Sequence, residues 1–304
     1  MRRKTKVWLL IATFCVLAGC VLFAGVMTSL EWDFLRLSTT EYETNIHEIS
    51  QDFDRISMNT DTADIVFVLS NDGRCSVECY EEKNAKHSVA VEDGTLKIEQ
   101  MDEKTEFRLI GLIGLNFDTP KITVYLPKTE YTSLLIQEST GDIEIPGDFL
   151  FENVDISSDT GDVCFNASAS GMIKIETSTG DIRMENLSAE ALELAVSTGK
   201  ILLADIVCQN LTSTGETGDI SMKNVIAAAR ISIERDTGDV RFEGVDAGEI
   251  YVTTDTGDVT GTLLSDKQFV VKSDTGKVDV PHTTTGGRCQ ITTDTGDIKL
   301  KLQS

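Results

Sequence analysis

The chain has 304 residues, 40% hydrophobic and 25% charged, with a formal net charge of −23. All four basic residues of the first thirty stand at the front, Arg2, Arg3, Lys4 and Lys6, so the other 23 basic residues face all 50 acidic ones, a net of −27. Such a surface repels nucleic acid and anionic headgroups, which excludes a nucleic-acid-binding role and leaves cations, basic partners or simple solubility.

Val7 to Leu30 is a run of 24 almost wholly apolar, uncharged residues. As a helix it spans about 36 Å at ~1.5 Å per residue, enough to cross a bilayer. Basic residues before it and Glu31 and Asp33 after it predict an N-in orientation. Residues 1–6 then form a cytoplasmic stub, 7–30 a transmembrane anchor, and the remainder lies outside the cytoplasm. A lipoprotein is the alternative, because "LAGC" (Leu17–Cys20) has the form of a lipobox with Cys20 as the lipidated residue. The apolar run continuing through "VLFAGVMTSL" favours the uncleaved anchor. Both readings predict the outer face of a cytoplasmic membrane.

Residues 31–52 read as a polar connector and 53–120 as a degenerate β region. "DIVFVL" (Asp64–Leu69), "CSVECY" (Cys75–Tyr80), "SVAVE" (Ser88–Glu92) and "LKIE" (Leu96–Glu99) have strand character, and Asp93-Gly94 is a hairpin turn. "FRLIGLIGLNF" (Phe107–Phe117) is too short to span a membrane and is expected to fold over the first coil as a cap, the alternative being an exposed apolar patch. Seven cysteines are present; Cys75 and Cys79, four apart in a strand, sit about 13 Å from each other and cannot pair. The irregular spacing is no disulfide framework and no zinc pattern, so buried free thiols are expected. His47, His87 and His282 show no metal or triad spacing.

Residues 121–304 are a repeat. Thr-Gly-Asp or Thr-Gly-Lys centres on Gly141, Gly161, Gly180, Gly199, Gly218, Gly238, Gly257, Gly276 and Gly296, in steps of 19 or 20 residues. Counted from each glycine, positions −7, −5, +2 and +4 are apolar at 34 of 36 places, with Cys289 counted as apolar; the exceptions are Ser213 and Gly261. Position +7 adds a looser column: Leu187, Ile206, Val225, Val245 and Leu264. Each unit is therefore two short alternating strands joined at the turn, and one unit cannot close a core. Stacked units can, which predicts an all-β fold: a β-solenoid of about nine coils, each about 4.8 Å deep, following one transmembrane helix. "DTADI" (Asp61–Ile65) and "DTPKI" (Asp118–Ile122), 57 residues apart, read as decayed coils of the same array.

The turns carry the structural residues: Thr160-Gly161, Thr179-Gly180, Thr237-Gly238 and Thr256-Gly257 among them. By strand parity each Thr should turn its methyl inward, Gly supplies a backbone angle that a Cβ forbids, and Asp is expected to bond local N–H groups. Stacking also aligns Asp142, Asp162, Asp181, Asp219, Asp239, Asp258 and Asp297, interrupted by Lys200 and Lys277. Carboxylates about 4.8 Å apart repel by roughly 1 kcal/mol in water. With a second acidic row (Asp159, Glu216, Asp236, Asp255, Asp274, Asp294) they form weak candidates for Ca²⁺, although the pattern is not that of the glycine-rich calcium roll. No other cofactor and no catalytic residue is indicated. The uniform spacing leaves no long loops for the cleft of a carbohydrate-active β-helix enzyme, which stays a remote alternative. "LPKTE" (Leu126–Glu130) has the form of a sortase signal but reads as a strand end and turn. "DIKLKLQS" is expected to form an open terminal coil, with Lys299 and Lys301 deterring end-to-end stacking.

A basic start, one apolar helix, a degenerate β region and "STGDIEI"-type repeats (first at Ser139–Ile145) together resemble a bacterial family of membrane-anchored surface proteins. These carry β-strand repeats and are labelled putative adhesins, a domain of unknown function. The resemblance covers the whole chain and implies an extracytoplasmic solenoid with no established catalytic residues. In Gram-positive relatives it also implies a link to envelope-stress regulation. Two readings follow: a non-catalytic interaction module, as adhesin or envelope scaffold binding a protein or wall component, or a regulator acting on a membrane partner.

Overall fold

The structure, a computed structural model, describes residues 3–29, 32, 41–101 and 119–303. The first element is helix α1 (Arg3–Ser29), within which Ile11–Ser29 is long and apolar enough to cross a membrane, as an anchor or a signal sequence would be. Seven strands follow: β1 (Tyr42–Ile49), β2 (Arg55–Thr62), β3 (Asp64–Leu69), β4 (Cys75–Glu82), β5 (His87–Glu92), β6 (Thr95–Gln100) and β7 (Lys121–Leu126). The polar stretch after the helix thus contributes a strand, β1, which pairs antiparallel with β4. The apolar Phe107–Phe117 stretch lies outside the described residues.

From Glu130 onward parallel coils stack as a β-solenoid. Neighbouring coils hold one register, with Ile173 beside Leu192, Leu192 beside Leu211 and Thr179 beside Thr198. The four apolar columns form a continuous core. Apart from Gly261, the members short of full burial are Phe269, Val271, Val278 and Val280, all from the Gly276 coil. The coils of Gly180, Gly199, Gly218 and Gly238 have a third short face that alternation alone did not show. It begins at position +6, where Asn186, Asp205, Asn224 and Gly244 take φ between 51° and 63°. Asn, Asp and Gly are the residues that tolerate this left-handed conformation. Beyond that corner Leu187, Ile206, Val225 and Val245 point inward, followed by the small residues Ala189, Cys208, Ala227 and Ala247. In the Gly257 coil a register shift between Phe242 and Val245 puts Leu263, not Leu264, into the fifth column.

Both ends of the stack depart from chain order. The "DTADI" coil lies directly against the Gly141 coil, with Ile56 beside Leu134 and Ile65 beside Ile143. The "DTPKI" coil lies on its far side, with Ile56 beside Leu96 and Ile65 beside Ile122. The two echoes are therefore adjacent layers, and their 57-residue separation measures the excursion through β4 and β5. At the other end the Gly257 coil pairs with the last coil, Ile250 beside Cys289 and Val259 beside Ile298. The Gly276 coil then pairs outside that one, Phe269 beside Cys289 and Val278 beside Ile298. The chain skips a layer and returns to fill it. Gly286-Gly287 make the return possible: a Cβ on Gly286 would lie 1.7 Å from the Asp266 carbonyl oxygen, and one on Gly287 1.6 Å from that of Gly248.

This corrects the expectation for the chain end. The strand holding Lys299 and Lys301 lies between two others and caps nothing; the open coil is that of Gly276, which leaves Val270 and Val278 exposed. At the opposite end β4 and β1 extend the sheet antiparallel from β7, and β5 pairs antiparallel with β6 across the Asp93-Gly94 turn. Aromatic side chains fill that part of the core, Tyr131 against Phe53 and Phe151, and Phe149 against Phe67. The cysteines are free. Cys75, Cys79, Cys208 and Cys289 are buried, and burial pushes the Cys75 and Cys79 thiols up to about 12.

Candidate interaction surface

The turn residues have roles set by the neighbouring coil. Except in the outermost Gly276 coil, each turn glycine donates its N–H to the threonine carbonyl of the next coil, Gly161 to Thr179 at 2.9 Å and Gly180 to Thr198 at 3.0 Å. A Cβ on Gly180 would lie 1.9 Å from the carbonyl oxygen of Gly161, and Gly180 holds φ +146°. Glycine is thus required by contact between layers as well as by conformation. The turn threonines contradict their expected parity. All are exposed, and the inward corner position is −3. The chain swings outward into the glycine turn before the alternation can continue to −1.

The aspartates bond across layers instead of to their own turn. The backbone N–H of Asp162 donates to Oδ1 of Asp142, that of Asp181 to Asp162 and that of Lys200 to Asp181, each at 2.8 Å. Beyond Lys200, Asp239 donates to Asp219, Asp258 to Asp239, Asp297 to Asp258 and Lys277 to Asp297. The first member is Asp64 of the decayed coil, which accepts from Asp142. Each carboxylate is therefore an acceptor for the layer above it, which offsets the repulsion within the column. Lys277 is the last member in space and has no further N–H to accept, so a cation there interrupts nothing. Lys200 leaves the ladder one acceptor short.

Before the turn the outward side chains form an acidic groove of about 450 Å³ across five coils. Asp159, Glu176, Glu216, Glu234 and Asp236 line it, with Ser157, Ser178, Ser197 and Thr214 between them and no basic residue. Lys174 reaches Glu176 at 3.1 Å from beside the groove. Farther along the rod the acidic row continues as Asp255, Asp294 and then Asp274, in the exchanged order of the end coils. No three of the ladder and second-row carboxylates come within ligand distance of one another; among the described residues the one group of three potential ligands is Cys79, Glu81 and His87. The histidines and cysteines showed no metal spacing in the sequence; the tight turn between β4 and β5 brings these three together.

Below the groove runs a buried polar column at position −3 that sequence reasoning missed. Thr60, Glu138, Ser158, Thr177, Arg235, Thr254 and Thr293 belong to it. Arg235 is 1% exposed. Its Nη2 donates to Ser213 Oγ at 3.0 Å, whereas Nε and Nη1 have no partner. The guanidinium fills the space above Gly215, where a Cβ would lie 1.6 Å from Nη1. Ser213, one of two exceptions to the apolar columns, is thus matched to Arg235 of the next coil. Burial pulls the Arg235 guanidinium down to about 10. Glu138 accepts N–H bonds from Ala63 and Thr140 at 3.2 and 3.3 Å, and burial pushes its carboxyl up to about 7. The other exception, Gly261, is explained by contact, because a Cβ there would lie 1.9 Å from the Phe242 carbonyl oxygen.

Residues 53–233 and 205–304 both match one family model, Toastrack DUF4097. The chain belongs to the Toastrack DUF4097 family. The two matched spans overlap, as a repeat allows. Among solved structures this Toastrack chain is similar to a putative adhesin from Parabacteroides merdae, with 12% identity and a TM-score of 0.55 over 87% of this chain and 98% of that one. It is also similar to a putative adhesin from Parabacteroides distasonis, with 11% identity and a TM-score of 0.51 over 86% and 98%. A putative adhesin from Bacteroides fragilis aligns at 19% identity over 86% and 97%, with a TM-score of 0.46. At these identities the likeness concerns the fold. No curated protein matches the chain.

Proposed function

We propose that this Toastrack protein is a non-catalytic interaction module. It is held at the outer face of a cytoplasmic membrane by α1 and presents its acidic corner to a basic or cation-bearing partner, as an adhesin or envelope scaffold would. The observation that carries the reading is the groove of five carboxylates across five coils, with no basic residue in its lining. Stacking at about 4.8 Å gathers carboxylates from four of the five coils into one line of like charge, suited to a basic partner. The apolar stretch Ile11–Ser29 supports membrane association, and the basic residues before it support the N-in orientation. The nearly constant coil length supports a non-catalytic role, because it leaves the array without long cleft-forming loops. The experiment is capture from native membranes by the full chain and by a form carrying Asp159→Asn, Glu216→Gln and Asp236→Asn. The native groove should retain partners that salt releases and that the neutralised groove loses. Identical captured sets, insensitive to salt, would refute the acidic corner as the binding surface.

A further inference from the structure

The antiparallel cap at the start of the rod holds a cluster that the acidic corner does not use. Cys79 and Glu81 point to the inner face of β4. A tight reversal closed by the Glu82–Ala85 bridge returns the chain, so that His87, the first residue of β5, joins them. One donor atom of each residue lies within 4.8 Å of the other two, and all three residues are buried.

Glu81 is held at both oxygens. Asn45 of β1 donates from Nδ2 to Oε1 at 2.7 Å. The His87 backbone N–H donates to Oε2 at 2.7 Å, and His87 Nδ1 sits 2.8 Å from the same oxygen. The carboxylate thereby fixes the imidazole through Nδ1, on a residue only 5% exposed. Thiol sulfur, imidazole nitrogen and carboxylate oxygen together are the donor set of zinc and similar borderline-soft ions; calcium and magnesium take oxygen donors.

We propose that Cys79, Glu81 and His87 form a binding site for one zinc-class divalent cation that ties the end of β4 to the start of β5 across the Glu82–Ala85 turn. On binding, the Cys79 S–H bond breaks and its proton leaves to solvent, while the sulfur electron pair forms the metal–sulfur bond. His87 contributes the Nδ1 lone pair, its ring proton resting on Nε2, and Glu81 contributes Oε2, so the cation takes the place of the hydrogen bond between them; Asn45 supports the carboxylate through Oε1 from outside the coordination shell. His47 lies on the same face of β1 as Asn45, and its Nε2 is buried without a partner, but it is outside the 4.8 Å group.

The test is a Co²⁺ titration of the full chain in detergent micelles, followed by absorbance and by metal content after gel filtration. One cobalt per chain is expected, with a thiolate-to-cobalt charge-transfer band that Zn²⁺ abolishes. The band should persist in Cys75→Ser and vanish in Cys79→Ser, and His87→Gln should weaken binding by at least ~10-fold. Because Cys79→Ser could unfold the cap, thermal melting of the native chain gives an independent reading: added Zn²⁺ should raise the transition and a chelator should reverse the rise. No saturable cobalt uptake at tens of micromolar, a band that survives in Cys79→Ser, or a melting transition indifferent to Zn²⁺ would each overturn the site.

Discussion

Asp162 offers a direct test of whether the aspartate column is a hydrogen-bonded ladder or a row of repelling charges. Its Oδ1 accepts the Asp181 N–H at 2.8 Å, and its own N–H donates to Asp142 at 2.8 Å. Removing its charge relieves two repulsions of roughly 1 kcal/mol each in water, fewer after salt screening. Removing the acceptor forfeits a hydrogen bond with a net contribution of about 1 kcal/mol. Comparing Asp162→Asn with Asp162→Ala separates the two effects, because both are neutral and only Asn retains an Oδ1. The Ala form should be about 1 kcal/mol less stable than the Asn form. In a domain of this size that lowers the melting transition by about 2–4 °C. Thermal melts in parallel, at low and at physiological salt, read this difference. An Ala form equal to or more stable than the Asn form would refute the ladder and return the column to a simple row of charges.

Three further perturbations probe the packing beneath the surface. Gly180→Ala places a Cβ 1.9 Å from the Gly161 carbonyl oxygen, so the layers must part; a loss above ~3 kcal/mol in urea unfolding is expected, and a loss below ~1 would contradict the close stacking. Glu138 has its carboxyl raised from 4.5 to about 7, so the fold binds this proton more tightly than the unfolded chain does. Its stabilising contribution is complete below pH 4.5 and disappears as pH rises to about 7, by up to ~3 kcal/mol; Glu138→Gln should flatten that part of the stability–pH curve. Arg235→Met replaces a buried guanidinium with two unpartnered donors, and should raise stability by ~1 kcal/mol or more in the same unfolding assay.

The sequence made the array legible because alternation and period are local signals that repetition amplifies. Leu134, Ile136, Ile143 and Ile145 already mark the four columns, and every later coil repeats them. The third face was half visible: Leu187, Ile206, Val225 and Val245 marked its first inward column, but its corner accepts Asn, Asp or Gly alike and its second inward residues are small, so no single letter recurs. The order of the end coils was hidden for a different reason. All coils share one register, and a period cannot say which neighbour a coil chooses; only Gly286-Gly287, small enough to slide between Asp266 and Gly248, hinted at the return. Parity misplaced the turn threonines because it assumes a straight strand through position −1. The acidic rows were legible from spacing alone, whereas Arg235 needed the pairing of Ser213 and Gly215 with the next coil. Cys79, Glu81 and His87 fall within nine residues, but they converge only because the chain reverses tightly at the Glu82–Ala85 bridge between β4 and β5.

Photo-crosslinking in native membranes tests the central claim most directly, with probes in the groove at Ser178 and Thr214 and on the other faces at Arg183 and Val207. Each of the four positions is exposed. Adducts formed from Ser178 and Thr214, lost at high salt and absent from Arg183 and Val207, are the predicted result. Adducts of equal yield from every face, or from Arg183 and Val207 alone, would contradict an acidic corner that binds the partner.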